Sequence, residues 1–172
     1  MTARAAQWLM PGLPTLPVLL LVLLTSACSG YPRDPGRTSE RVRGGVMRVG
    51  IAHDPPFLQV DGDGAPAGRE AALLLAFARS QGARIAWRRQ GHVVLMRELR
   101  ERRLDVVVGG HAPDSPWAVH VATSRPYRVA DASGRLVERV VALPPGENAW
   151  LLAFDRHAHA PASRALLEGN AR

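Results

Sequence analysis

The sequence predicts an α/β fold, a mostly parallel sheet with flanking helices, and three observations carry that prediction. Strand-like segments at 46–52, 84–88 and 104–108 alternate with segments at 69–81 and 92–103 whose apolar residues recur at helical spacing. Leu104-Asp105-Val106-Val107-Val108 is a nearly uninterrupted apolar run, as a strand covered on both faces requires. A hydrophobic fraction of 47% in 172 residues suits one packed domain and excludes a chain disordered throughout.

The elements follow in order along the chain. Residues 1–27 read as a lipoprotein signal peptide, with Arg4 near the start and the apolar run LPTLPVLLLVLL over Leu13–Leu24. That run is shorter than the ~20 residues needed to span a bilayer. Its close, LTSAC, resembles a bacterial lipobox, which makes Cys28 the lipidated residue. As the single cysteine it forms no disulfide within the chain. Two or three acyl chains on Cys28 imply a durable membrane anchor facing the periplasm or the cell exterior. Residues 28–45, rich in Gly, Pro, Ser and Arg, read as a flexible linker, and 46–172 as the α/β lobe.

Val46–Ala52 forms the first strand, broken by His53-Asp54-Pro55-Pro56, whose prolines cannot donate to a ladder. Asp61-Gly62-Asp63-Gly64 marks a tight turn and places 57–60 in a hairpin arm. Ala72, Leu73, Ala76 and Phe77 set the helix over 69–81, which Gly82 ends. Arg84–Arg88 (RIAWR) is the next strand, and 92–103 is a helix with Val94, Leu95 and Leu99 on one face. After Val108 the chain opens into Gly109-Gly110-His111-Ala112-Pro113. Leu136–Leu143 (LVERVVAL) reads as one strand, and a helix follows over 149–159.

All 22 basic residues are Arg, against 15 Asp+Glu; without 1–27 the balance is 21 against 15, or +6. Export and the lack of an aromatic-interleaved basic stripe argue against nucleic acid as the partner. No zinc-finger spacing, no G-x-S-x-G and no paired-carboxylate motif is present, so no catalytic residue and no cofactor is assigned.

The stretch MRVGIAHDPPFLQVDGDGAPAGREAALLLAFARSQGARIAW resembles the opening of family 3 of the bacterial extracellular solute-binding proteins. The resemblance runs on through LDVVVGG to ATSRPY and covers 46–127. It implies one lobe of a type II periplasmic-binding fold. The family has two lobes joined by paired strands, whereas Tyr127 is followed here by 45 residues, so a single-lobe variant lacking the second lobe is expected. Amino-acid-binding members carry an Arg shortly after the loop matching Gly109–Asp114. Trp117 holds that place here, which weakens standard α-amino-acid binding as an expectation.

In open α/β sheets ligands bind outside the carboxyl ends of the strands, so Asp54 and Gly109–Pro113 are expected together at one edge. Asp54 is either a contact for a ligand's cationic group or a turn-former. Gly110 and His111 follow the apolar strand, at the best address in the chain for a ligand. His92 stands where the family often places a stacking aromatic, and Trp117 either roofs the site or packs the lobe edge. Glu70 either faces the cleft or caps its helix. His157 and His159 diverge on a helix, and no metal site is assigned. Two functions fit these residues. The first is noncovalent capture of a small solute, such as an amino acid or other small polar compound, for a transporter permease or sensor. The alternative is a degenerate interaction module of an envelope complex that has lost solute binding.

Overall fold

The computed structural model describes residues 32–60 and 64–169. The signal segment, Cys28 and the turn at 61–63 therefore lie outside the described residues. The elements are α1 (Thr38–Val42), β1 (Val46–Ile51), α2 (Arg69–Ser80), β2 (Arg84–Arg89), α3 (His92–Arg100), β3 (Val106–Val108), β4 (Ala122–Thr123), β5 (Tyr127–Ala130), β6 (Leu136–Arg139), β7 (Ala142–Leu143), α4 (Asn148–Ala158) and α5 (Pro161–Glu168). The main sheet runs β2-β1-β3-β7-β4. β1 is parallel to both β2 and β3, while β7 is antiparallel to β3 and β4. The sheet is thus mixed but mostly parallel where the two βα crossovers build it.

Alternation along β1 divides the core between two layers. Met47, Val49 and Ile51 join α2 and α4 around Phe77, Trp150 and Phe154, all fully or almost fully buried. The Phe77 ring lies 4.9 Å from Trp150 and 5.2 Å edge-on from Phe154. Trp150 is tilted by 43° to Phe77, and the edge-to-face contact with Phe154 is a geometry aromatic rings prefer. On the other face Leu95, Met96 and Leu99 of α3 pack with Leu104 and Val107. Gly50 is what lets α3 approach: a Cβ there would sit 2.7 Å from Leu104 and 2.9 Å from Leu95. Each large apolar side chain buried this way contributes about 1.5–3 kcal/mol relative to exposure.

Two sequence expectations change. Part of the linker assigned to 28–45 is folded: Thr38 and Val42 of α1 are buried. Five residues cannot hold a helix by propensity, so tertiary bonds hold this one. The buried Glu147 carboxylate accepts the N–H groups of Gly36 and Thr38 at 2.7 and 3.1 Å, and Asp34 accepts those of Ser39 and Trp150. Asp105, fully buried, pairs with Arg41 after accepting the Arg48 N–H at 2.8 Å, which ties α1 to β1 and the strand following it.

LVERVVAL is the second change, because it is two strands and not one. Its first half, β6, pairs with β5 in a separate two-stranded sheet, and its end, β7, enters the main sheet. Between them the Val140 N–H donates to the His111 carbonyl and the Val141 N–H to Ser124 Oγ, so the strand is handed from one partner to another. The β5–β6 hairpin closes through Asp131–Arg135, with Asp131 Oδ1 accepting the Ser133 and Arg135 N–H groups at 2.9 Å each. β5 begins at Tyr127 of ATSRPY, where the resemblance implies a strand leading out to a second lobe. In this chain that strand turns straight back.

Candidate functional site

β1 and β3 are neighbours with Ile51 opposite Val108, so the residues after each emerge side by side. Gly109 and Gly110 adopt φ of +103° and +80°, a region open to glycine. At Gly109 a Cβ would also lie 2.2 Å from the Ala52 carbonyl oxygen. This tight crossing delivers the Gly110 N–H to Asp54 Oδ2, at 2.8 Å. The expected meeting of Asp54 with the glycine loop is therefore present.

The Asp54 carboxylate has a second partner that the sequence did not reveal. Arg139, at the end of β6, pairs with Asp54 through Nη2. Its guanidinium carbon stands 4.3 Å from the centre of the Phe57 ring, a cation–π arrangement. Burial draws its pKa below the ordinary arginine value without removing the charge. Asp54 is thus not the open cation acceptor that the sequence suggested. The pair spans 85 residues, and the Val140–His111 bond beside it helps hold the end of β6 at this edge.

An aromatic wall continues from the same loop. His111 is buried and its Nε2 has no partner. Burial, reinforced by neighbouring His92, pushes its pKa down to about 4, so the ring is neutral near pH 7. His92, at the start of α3, lies 4.7 Å from His111 and 5.9 Å from Trp117 between ring centres. Burial also lowers the His92 pKa. Trp117 sits in the 3-10 turn Pro116–Val119, whose start is fixed by Ser115 Oγ accepting the Trp117 N–H, and it meets His120 edge-on. An open pocket of about 450 Å³ lies beside it, lined by Arg100, Pro116, Trp117 and His120.

Glu70 stands in the first turn of α2, the place the dipole reading gave it. The helix start has no side-chain capping bond. Glu70 is buried in the lobe, where its Oε1 accepts the Tyr127 hydroxyl at 2.7 Å and its Oε2 has no partner. Burial pushes its pKa up to about 7, an effect that the Tyr127 bond partly offsets. The signal was in the spacing: Glu70, Leu73, Leu74 and Phe77 stand at i, i+3, i+4 and i+7, one face of one helix.

His53 accepts the Val60 N–H through Nδ1, and among the described residues no group of three or more His, Cys, Asp or Glu could hold a metal ion. A second groove of about 400 Å³ lies away from the carboxyl edge, lined by Arg48, Trp87, Arg88, Glu98 and Arg103 among others. Its arginines are already paired, Arg48 with Asp105, Arg88 with Glu98 and Arg103 with Glu101, so it offers an incoming anion little. The carboxyl edge remains the candidate site.

The family model described as bacterial extracellular solute-binding proteins, family 3, matches residues 47–158. The membrane-bound lytic murein transglycosylase F of Thiobacillus denitrificans is 33% identical over 127 residues, which is 68% of this chain and 26% of that protein. The chain thus spans about a quarter of this relative. Among solved structures, the arginine-bound form of domain 1 from TmArgBP superposes with a TM-score of 0.59 at 25% identity, covering 69% of this chain and 94% of that one. The ancestral amino acid-binding protein AncCDT-1, a precursor of cyclohexadienyl dehydratase, gives 0.63 at 14% identity over 77% and 97%. At that identity the likeness concerns the fold.

Proposed function

The chain belongs to family 3 of the bacterial extracellular solute-binding proteins, and on that premise we propose that its lobe captures a small polar solute noncovalently at the carboxyl edge. One observation carries this reading: Asp54, the Gly110 N–H, His111, His92 and Trp117, from three separated stretches of chain, converge where such sheets hold ligands. Asp54 Oδ1, which the Gly110 and Arg139 bonds leave aside, supplies the polar contact, while His92 and Trp117, backed by the buried neutral His111, supply an angled aromatic wall. The arginine-bound form of the TmArgBP domain supports an amino acid or a related cation as the solute class.

A single wall buries less of a ligand than an enclosed pocket, so the affinity is weak. In this reading the chain is an exported lipoprotein anchored at Cys28. It hands its solute to a permease or sensor at the membrane, with no bond made or broken in the solute. The test is a thermal-shift screen of the full chain against amino acids, polyamines, organic anions and divalent metals at millimolar concentration. A ligand bound only by the folded state raises the midpoint by mass action. The expected result is a shift that His111→Ala or Trp117→Ala removes. A flat screen on the folded chain would instead favour an interaction module without a solute.

A further inference from the structure

Arg139 differs from nine other arginines that form ion pairs. In those ion pairs the guanidinium is the exposed partner, at 35% or more. Arg41, Arg48 and Arg102 reach in from solvent to carboxylates that are fully buried. With Asp54 the order is reversed: the Arg139 side chain is 13% exposed and the carboxylate 24%. The guanidinium has been drawn in, laid over the Phe57 ring and set against Asp54, whose same oxygen also accepts the Gly110 N–H. An acceptor on one side and an aromatic face beneath are what a free guanidinium ligand would require. The fit is incomplete, however, because Arg139 Nε is buried without a partner.

We propose that Asp54, Phe57 and the Gly110 loop form a guanidinium site, and that Arg139 is its intramolecular occupant, which a guanidinium-bearing ligand must displace. The inference rests on reading this edge as a solute site and deepens that reading by naming the ligand class. Asp54 and Phe57 belong to the segment after β1, and Arg139 to the last residue of β6. The occupant is therefore not part of the cradle, and it can leave by rotating its side chain while the cradle stays in place. A tethered occupant competes with every incoming ligand, so the apparent affinity of the free chain falls by the fraction of time the cradle is filled.

The experiment titrates the full chain and its Arg139→Ala variant with methylguanidinium by calorimetry, with urea as the neutral isostere. Arg139→Ala is expected to bind methylguanidinium at least ten-fold more tightly than the parent chain and to ignore urea. Adding Asp54→Asn is expected to abolish the gain. A folded Arg139→Ala chain that binds methylguanidinium no better than the parent overturns the proposal. Should that variant fail to fold, the Arg139 Nε–Hε resonance of the parent chain decides: it must move as methylguanidinium is added, and a stationary resonance overturns the proposal. Amino-acid binding that Arg139→Ala leaves unchanged would keep the solute reading and sink this one. A methylguanidinium gain in a chain that binds no amino acid would do the reverse.

Discussion

Two buried ionisable groups in this lobe pull its stability in opposite directions with pH, and the cancellation can be dissected. Glu70 titrates at about 7 in the folded chain against 4.5 ordinarily, because burial penalises its charged form. Between those values the folded chain holds a proton that the unfolded chain has lost. Its contribution is fully present below pH 4.5 and is lost as pH rises through 7. His111 titrates at about 4 against 6.5, again through burial. There the unfolded chain holds the extra proton, so stability is fully present above pH 6.5 and is lost as pH falls through 4. At roughly 1.4 kcal/mol per pH unit each, the two effects amount to about 3 kcal/mol apiece. Between pH 4.5 and 6.5 they nearly cancel, and their combined profile is flat. Glu70→Gln leaves His111 alone, and its stability climbs by about 3 kcal/mol from pH 4 to 6.5. His111→Gln leaves Glu70 alone, and its stability falls by a similar amount from pH 4.5 to 7. Urea unfolding followed by tryptophan fluorescence across pH 4–8 measures both, provided the m-values stay constant. Variant profiles that run parallel to the parent's would refute the reasoning, because neither proton would then be coupled to folding.

Asp105→Asn leaves the Arg41 and Arg48 guanidinium groups, which reach in from solvent, facing a neutral amide, and denaturant unfolding should show a loss of about 1–3 kcal/mol. Gly109→Ala forces a Cβ onto the Ala52 carbonyl at a φ that alanine avoids. The expected cost is about 1–3 kcal/mol in chemical denaturation, accompanied by a displaced Gly110 amide resonance as the bond to Asp54 is lost.

Much of the fold is written locally. The helical spacing through Phe77, the apolar run before Val108 and the prolines after Asp54 each determine an element without outside help, and the alternation implies the parallel part of the sheet. The carboxyl-edge position of Asp54 and His111 follows in turn from parallel β1 and β3. What escaped were features made by distant partners. α1 exists because Glu147, more than a hundred residues away, accepts its first N–H groups. LVERVVAL shows unbroken strand character, yet the His111 carbonyl and the Ser124 hydroxyl divide it between two sheets. Arg139 is one of 22 arginines, and nothing in its neighbours marks it as the one held by Asp54. The inward direction of Glu70, by contrast, was available from its helical face.

The short turn at Asp131–Arg135 has a consequence for signalling. A binder that closes around its cargo reports loading through its own shape, and the slow reopening sets how long the message lasts. On the proposed reading, a lobe whose outgoing and returning strands are stapled together keeps one backbone whether loaded or empty. Exchange is then as fast as one wall of contacts allows. A receiver of the proposed solute would then have to read the cargo itself, or the side chain it displaces, at the open edge of the sheet.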